Sequence, residues 1–148
     1  MEFMIVNMSL QLGDRAPAIP SVAKGKTTVV FFFPKADTPG CTQESCDFRD
    51  LSKKFDKKSV AIVGISPDKA EAQAKFATKY GLPYTFVPDP DHSIAEAYGV
   101  WKEKKNYGKT YMGIERTTFV IDPKGKIAQI YPRVRVAGHA ETVLASLE

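Results

Sequence analysis

The apolar, β-rich run from Thr28 to Phe33 stops at Pro34, and within a few residues Thr38-Pro39 opens a helical pattern. A strand that ends in a tight loop and feeds a helix is the joint on which an α/β layer is built, and it fixes where the chain turns. Thr38 can cap, Pro39 suits the first helical position, and the helix is expected to run from Cys41 to Lys57. Val60 to Ser66 reads as a second strand, Lys69 to Tyr80 as a helix stopped by Gly81-Leu82-Pro83, and Tyr84 to Val87 as a short strand before the turn Pro88-Asp89-Pro90-Asp91. Ser93 to Tyr98 suggests a brief helix. Thr117 to Ile121 and Ile127 to Tyr131 suggest a hairpin closed by Asp122-Pro123-Lys124-Gly125-Lys126, and Glu141 to Leu147 a last helix. The stretch Trp101 to Ile114, rich in Lys, Gly and Tyr, is expected to be a long loop bordering the functional site. This order fits an α/β thioredoxin-like sandwich, a mixed central sheet with helices on both faces, in one domain spanning 1–148.

Both cysteines of the chain lie in this first helix, Cys41 in its first turn and Cys46 five residues on. Free backbone N–H groups and the positive end of the helix dipole favour a thiolate over a thiol at Cys41. Lowering a thiol pKa by about 2 units takes about 2.7 kcal/mol, and a helix terminus supplies roughly 0.3 to 1. A second positive group is needed. Arg116, at the start of the run Thr117 to Ile121, can reach a neighbouring strand end, and one charge-assisted hydrogen bond of roughly 1.5 to 3 kcal/mol closes the gap.

On an intact helix, residues i and i+5 are roughly 140° apart around the axis, with Cα atoms about 8.6 Å apart. A disulfide needs about 7 Å or less and facing side chains, so Cys41 and Cys46 can bond only if the first turns unwind. Thiol–disulfide exchange of the thioredoxin type uses the closer Cys-x-x-Cys spacing, and the four intervening residues argue against it. A redox-sensing module without turnover is the other alternative. Each residue also has a plainer reading: Cys46 as a small buried hydrophobe, Thr38 as a helix cap, Arg116 as the partner of a surface carboxylate. His92 and His139 are far apart and lack the short spacing of a zinc module; His139 is read as opening the last helix.

The pattern Pro34, Thr38, Cys41, with Cys46 and Phe48-Arg49-Asp50 following, resembles the active-site loop of the peroxiredoxins, in particular the bacterioferritin-comigratory-protein or peroxiredoxin Q branch. The likeness runs from about Leu12 to the C-terminus, through Val63-Gly64-Ile65-Ser66-Pro67-Asp68, Ala97-Tyr98-Gly99-Val100-Trp101 and Arg116 to Asp122. It implies a peroxidase in which Cys41 attacks the peroxide O–O bond and becomes a sulfenic acid, with Cys46 resolving it as an intramolecular disulfide. It further implies that Thr38 and Arg116 contact thiolate and peroxide, that Pro34 shields the nucleophile, and that Glu44 orients the network. Thioredoxin or a similar dithiol would be the reductant, with no metal, haem or flavin, and the protein a monomer or weak homodimer.

A chain of 148 residues with 43% hydrophobic and 26% charged residues is ordinary for a soluble protein, and a net charge of +4 is mild. Lys102, Lys104, Lys105 and Lys109 form a basic stretch that Glu103 interrupts, without a nucleic-acid motif, and it reads as solvated surface. No apolar run approaches a membrane span, and Met1 to Leu12 does not look like a secretory signal. Two cysteines so close together staple little, so a catalytic pair in the cytoplasm is the simpler account.

Overall fold

The computed structural model describes residues 10–20, 22 and 25–147. The expectation about a secretory signal at Met1 to Leu12 therefore lies largely outside the described residues. Among the described residues, seven strands and five helices follow one another as β1 (Thr27–Phe32), α1 (Pro39–Asp50), α2 (Ser52–Lys57), β2 (Val60–Ser66), α3 (Ala70–Tyr80), β3 (Thr85–Pro88), α4 (Ser93–Ala97), β4 (Trp101–Asn106), β5 (Lys109–Ile114), β6 (Thr117–Ile121), β7 (Ile127–Tyr131) and α5 (His139–Ala145). Five of the strands form one sheet in the order β3-β2-β1-β6-β7, with β1, β2 and β3 parallel and β6 and β7 antiparallel to their neighbours.

The central strand explains the layering. Successive side chains of β1 point to opposite faces, and from Val29 to Phe32 all are buried, so both faces need a cover. Val29, Phe31 and Phe33 meet Phe48 of α1, Phe55 of α2, Phe76 of α3 and Val143 of α5. Val30 and Phe32 meet Ala95 of α4, Tyr98, and Ile114 at the end of β5. The result is the thioredoxin-like sandwich with helices on both faces. Gly64, in the middle of β2, is there for want of room: a Cβ would come within 2.7 Å of the Phe86 ring and 3.0 Å of Phe31.

Two expectations need correction. The helix expected to run on to Lys57 starts at Pro39, the first helical position expected for it, but breaks at Leu51, whose φ of −101° and ψ of 3° end α1 and start α2. The expected loop from Trp101 to Ile114 is instead the β4–β5 hairpin, a separate two-stranded sheet pairing Trp101 with Ile114 and Asn106 with Lys109. Its turn is Tyr107-Gly108, with φ of 52° and 78°, the positive values that tight two-residue hairpin turns require. The basic stretch of lysines thus lies along a hairpin. No helix among the described residues is long and apolar enough to cross a membrane.

Candidate active site

The site is built where β1 runs out into α1. The chain is led out of the sheet by a series of specific ties. The amide of Phe33 donates to the Ile65 carbonyl at 3.0 Å, prolonging the pairing with β2 past the end of β1. Pro34 follows, half-buried. The Ala36 amide then donates to Asp68 Oδ2 (2.7 Å), which also accepts from the Ser66 hydroxyl (2.8 Å). Asp37, at a φ of 60°, accepts from Lys79 Nζ (2.9 Å) and Tyr80 Oη (2.8 Å), and these bonds hold its carboxyl below the usual carboxylate range.

Thr38 occupies the cap position of α1 in extended conformation and Pro39 the first helical one, as the sequence suggests. Its hydroxyl, however, donates to the Lys35 carbonyl at 2.8 Å, and no side-chain cap bond forms. The capping expectation holds for the backbone, where the Thr42 amide donates to the Thr38 carbonyl (2.8 Å), and fails for the side chain, whose proton is committed to the loop behind it.

Cys41 is the third residue of α1, and its side chain is buried with 1% exposure. Arg116, which immediately precedes β6, donates from Nη2 to the Cys41 sulfur at 3.3 Å and from Nη1 to Glu44 Oε1 at 2.5 Å. β6 pairs with β1 so that Thr117 lies opposite Phe32, which is why an arginine 75 positions further along the chain arrives beside this helix. Gly40 leaves space for it: a Cβ there would stand 3.3 Å from Nη2. Burial works against the charge of the guanidinium, and Glu44 and Cys41 more than offset it, so its pKa stays above the ordinary value. Burial pushes the Glu44 carboxyl up to about 7 against the pull of Arg116, and its second oxygen, Oε2, is buried without a hydrogen-bond partner.

Cys46 faces elsewhere. It is half-buried and lines a groove of about 290 Å³ with Asp37, Thr38, Pro39, Thr42, Gln43 and Tyr80. Burial pushes its thiol pKa up, against the pull of Arg49. Both sulfurs are free thiols. They sit on one unbroken helix, in the arrangement that forbids a direct bond.

The structure therefore brings together Cys41, Arg116 and Glu44, and sets Cys46 and Thr38 on the adjoining groove; Pro34 stands in the loop between them and the sheet. The Trp101 ring stacks on His92 at 4.0 Å, and Tyr107 is 97% exposed at the hairpin tip. His139 opens α5 as expected and bonds through Nε2 with the Thr118 hydroxyl at 2.8 Å. Among the described residues no group of three or more His, Cys, Asp or Glu side chains is placed to hold a metal. Sequence reasoning missed Asp68, Tyr80 and Tyr84 as supports of the site. The Tyr84 hydroxyl donates to the Ser45 carbonyl (2.6 Å), a contact between residues 39 positions apart that no local pattern signals.

Residues 5–130 match the model of the AhpC/TSA family. Peroxiredoxin Bcp of Bacillus subtilis is 42% identical over 95% of this chain and 97% of its own length, and Peroxiredoxin Bcp of Escherichia coli is 43% identical over 82% and 78%. Among solved structures, Peroxiredoxin Q of Xanthomonas campestris superposes with a TM-score of 0.80 at 44% identity, over 84% of this chain and 78% of that one. A mutant PrxQ of Xylella fastidiosa gives a TM-score of 0.86 at 30% identity, over 95% and 96%. With relatives of this closeness and extent, the chain belongs to the AhpC/TSA family, in its peroxiredoxin Bcp or peroxiredoxin Q branch.

Proposed function

We propose that in this thiol-dependent peroxidase Cys41 is the nucleophile, Cys46 resolves it, and thioredoxin or a similar dithiol restores both. The observation that carries this reading is the Arg116 guanidinium, shared between the Cys41 sulfur and Glu44. A thiolate formed at Cys41 would face a fixed cation there, in a buried place where such an interaction is strong. As Cys41 attacks one oxygen of hydrogen peroxide or an organic hydroperoxide, the O–O bond breaks and negative charge grows on the departing oxygen. The Arg116 N–H groups and the backbone amides of the first turn are the donors able to stabilise that charge more in the transition state than in the ground state. The leaving oxygen takes up, through solvent, the proton that the Cys41 thiol released on ionising and departs as water or an alcohol, and Cys41 is left as a sulfenic acid.

Cys46 sulfur then attacks the sulfenic sulfur, the S–O bond breaks, and water leaves with the Cys46 proton. The disulfide keeps Cys41 on the reversible rung of the oxidation ladder. Two thiols of the reductant reopen it and become a disulfide themselves. A structure of the Xanthomonas campestris bacterioferritin comigratory protein is described in terms of alkyl peroxide reduction, which supports organic hydroperoxides as a substrate class here. We take 1–148 to act as one peroxiredoxin-like domain, monomeric or weakly dimeric, in a reducing compartment such as the cytoplasm. Thr38 and Pro34 are assigned to the loop that shapes and shields the approach to Cys41.

The test is a pair of single substitutions. Cys41→Ser should abolish peroxide consumption with a thioredoxin system. Cys46→Ser should consume about one equivalent and accumulate a sulfenic acid that dimedone traps. Residual turnover in the first, or no adduct in the second, would reject these roles.

A further inference from the structure

One short stretch of chain grips the reactive helix on both sides of Cys41. Before the helix, the Tyr80 hydroxyl bonds to the Asp37 carboxylate at 2.8 Å. Near its end, the Tyr80 carbonyl accepts from Arg49 Nη1, also at 2.8 Å. Between these, and one residue ahead of Cys46, the Tyr84 hydroxyl bonds to the Ser45 carbonyl. The stretch that supplies all three is firm. Gly81 closes α3 in the left-handed conformation at a φ of 61°, the next residue, Leu82, is buried, and the Tyr84 ring lies edge-on to Phe31 at 5.9 Å.

The residues left between the grips are 38–44. Among the described residues, their one side-chain hydrogen-bonding tie to a distant part of the chain is Arg116, which holds Cys41 and Glu44. That tie is altered by the chemistry itself. Conversion to a sulfenic acid adds an oxygen to the very sulfur that Nη2 contacts, whereas the tyrosine bonds involve no reacting atom. The Cα atoms, about 8.6 Å apart on a helix, must then approach by about 2 Å, and the two side chains, about 140° apart around the axis, must turn to face each other, which unwinding of 38–44 allows. The groove of about 290 Å³ at Cys46 offers the space on the side to which Cys41 must turn.

We propose that Tyr80 and Tyr84 are positioning residues that confine the unwinding of α1 to 38–44 and keep Cys46 fixed as the target. This rests on the Cys41–Cys46 reading above. The moving part is the window carrying the sulfenic acid; the half of α1 that carries Cys46 and Phe48 stays folded against the sheet.

Hydrogen exchange with mass spectrometry on the full chain, reduced and after one equivalent of peroxide, tests it, with peptide mapping to establish the disulfide. In the oxidised protein the amides of 42–45 should exchange at least about tenfold faster than in the reduced one, while those of 49–51 keep their protection. In Tyr84→Phe the loss should spread to 49–51. The sulfenic acid should also resolve about fivefold more slowly, the factor corresponding to one hydrogen bond's net contribution, with the rate of the peroxide step unchanged. Loss of protection at 49–51 in the oxidised wild-type protein would overturn the proposal while leaving the peroxidase reading intact. So would a Tyr84→Phe variant that resolves as fast as, or faster than, the wild type, because the hydroxyl would then merely resist unwinding. Absence of any Cys41–Cys46 disulfide would overturn both the role of Cys46 and this inference.

Discussion

Arg116 is placed where one side chain can do two jobs, and its planar fork is what permits it. Nη1 donates to the Glu44 carboxyl and Nη2 to the sulfur of Cys41, two residues one helical turn apart on the same face of α1. Arg116→Ala should therefore slow the single-turnover reaction with peroxide by about 10- to 150-fold, the range that corresponds to a charge-assisted hydrogen bond of about 1.5 to 3 kcal/mol. Arg116→Lys should recover only part of this, because an ammonium cannot serve both partners in the same plane; full recovery in stopped-flow measurements would show that charge alone matters. At this scale the sequence is informative about Cys41, Cys46, Arg116 and Glu44, since helix position, spacing and the family pattern all bear on them. It is silent on Asp68, Tyr80 and Tyr84, each of which acts on a backbone or side-chain group that only the closed fold brings near.

Helix α1 joins two halves of different character. Its first turns hold Cys41 and Glu44 against Arg116, and its second half is anchored by Phe48, whose ring is fully buried, stacked on Phe31 at 4.8 Å and tilted against Phe55 at 5.8 Å. Phe48→Ala should lower the unfolding free energy by about 3 to 5 kcal/mol, as expected for removal of a large core ring, measured by urea denaturation at neutral pH. A loss under about 1 kcal/mol would mean that the α1 anchor lies elsewhere. The strands of the main sheet are legible because burial forces apolar residues into them, and the same logic explains why the β4–β5 hairpin is not. Trp101-Lys102-Glu103-Lys104-Lys105-Asn106 has no apolar face to impose a period of two, since most of that ribbon meets water on both sides. Only the Tyr107-Gly108 turn marks it. Likewise, nothing in the composition of 41–57 announces the break at Leu51, which is fixed by backbone geometry between two helical stretches of similar propensity.

Two buried ionisable groups near the site tie the stability of the whole molecule to pH in opposite directions. His139 is held neutral, its pKa drawn down to about 4 chiefly by burial and also by Arg116, so below its unfolded value of about 6.5 the unfolded chain binds a proton that the folded one refuses. Its contribution to stability is therefore complete above that value and is lost as pH falls through it towards 4. Glu44 runs the other way. With a folded pKa raised from 4.5 to about 7, the folded protein holds a proton that the unfolded chain gives up, so its contribution is complete below 4.5 and is lost as pH rises towards 7. Between about pH 4.5 and 6.5 the two slopes oppose each other, and above 6.5 that of Glu44 stands alone. Glu44→Gln removes one of them. Thermal unfolding midpoints of the variant should rise steadily from pH 4.5 to 6.5 and then level off, where the wild type should change little over that window and decline towards 7. Parallel curves for the two proteins would mean that Glu44 is ionised in the folded state throughout, its charge held by Arg116 despite burial.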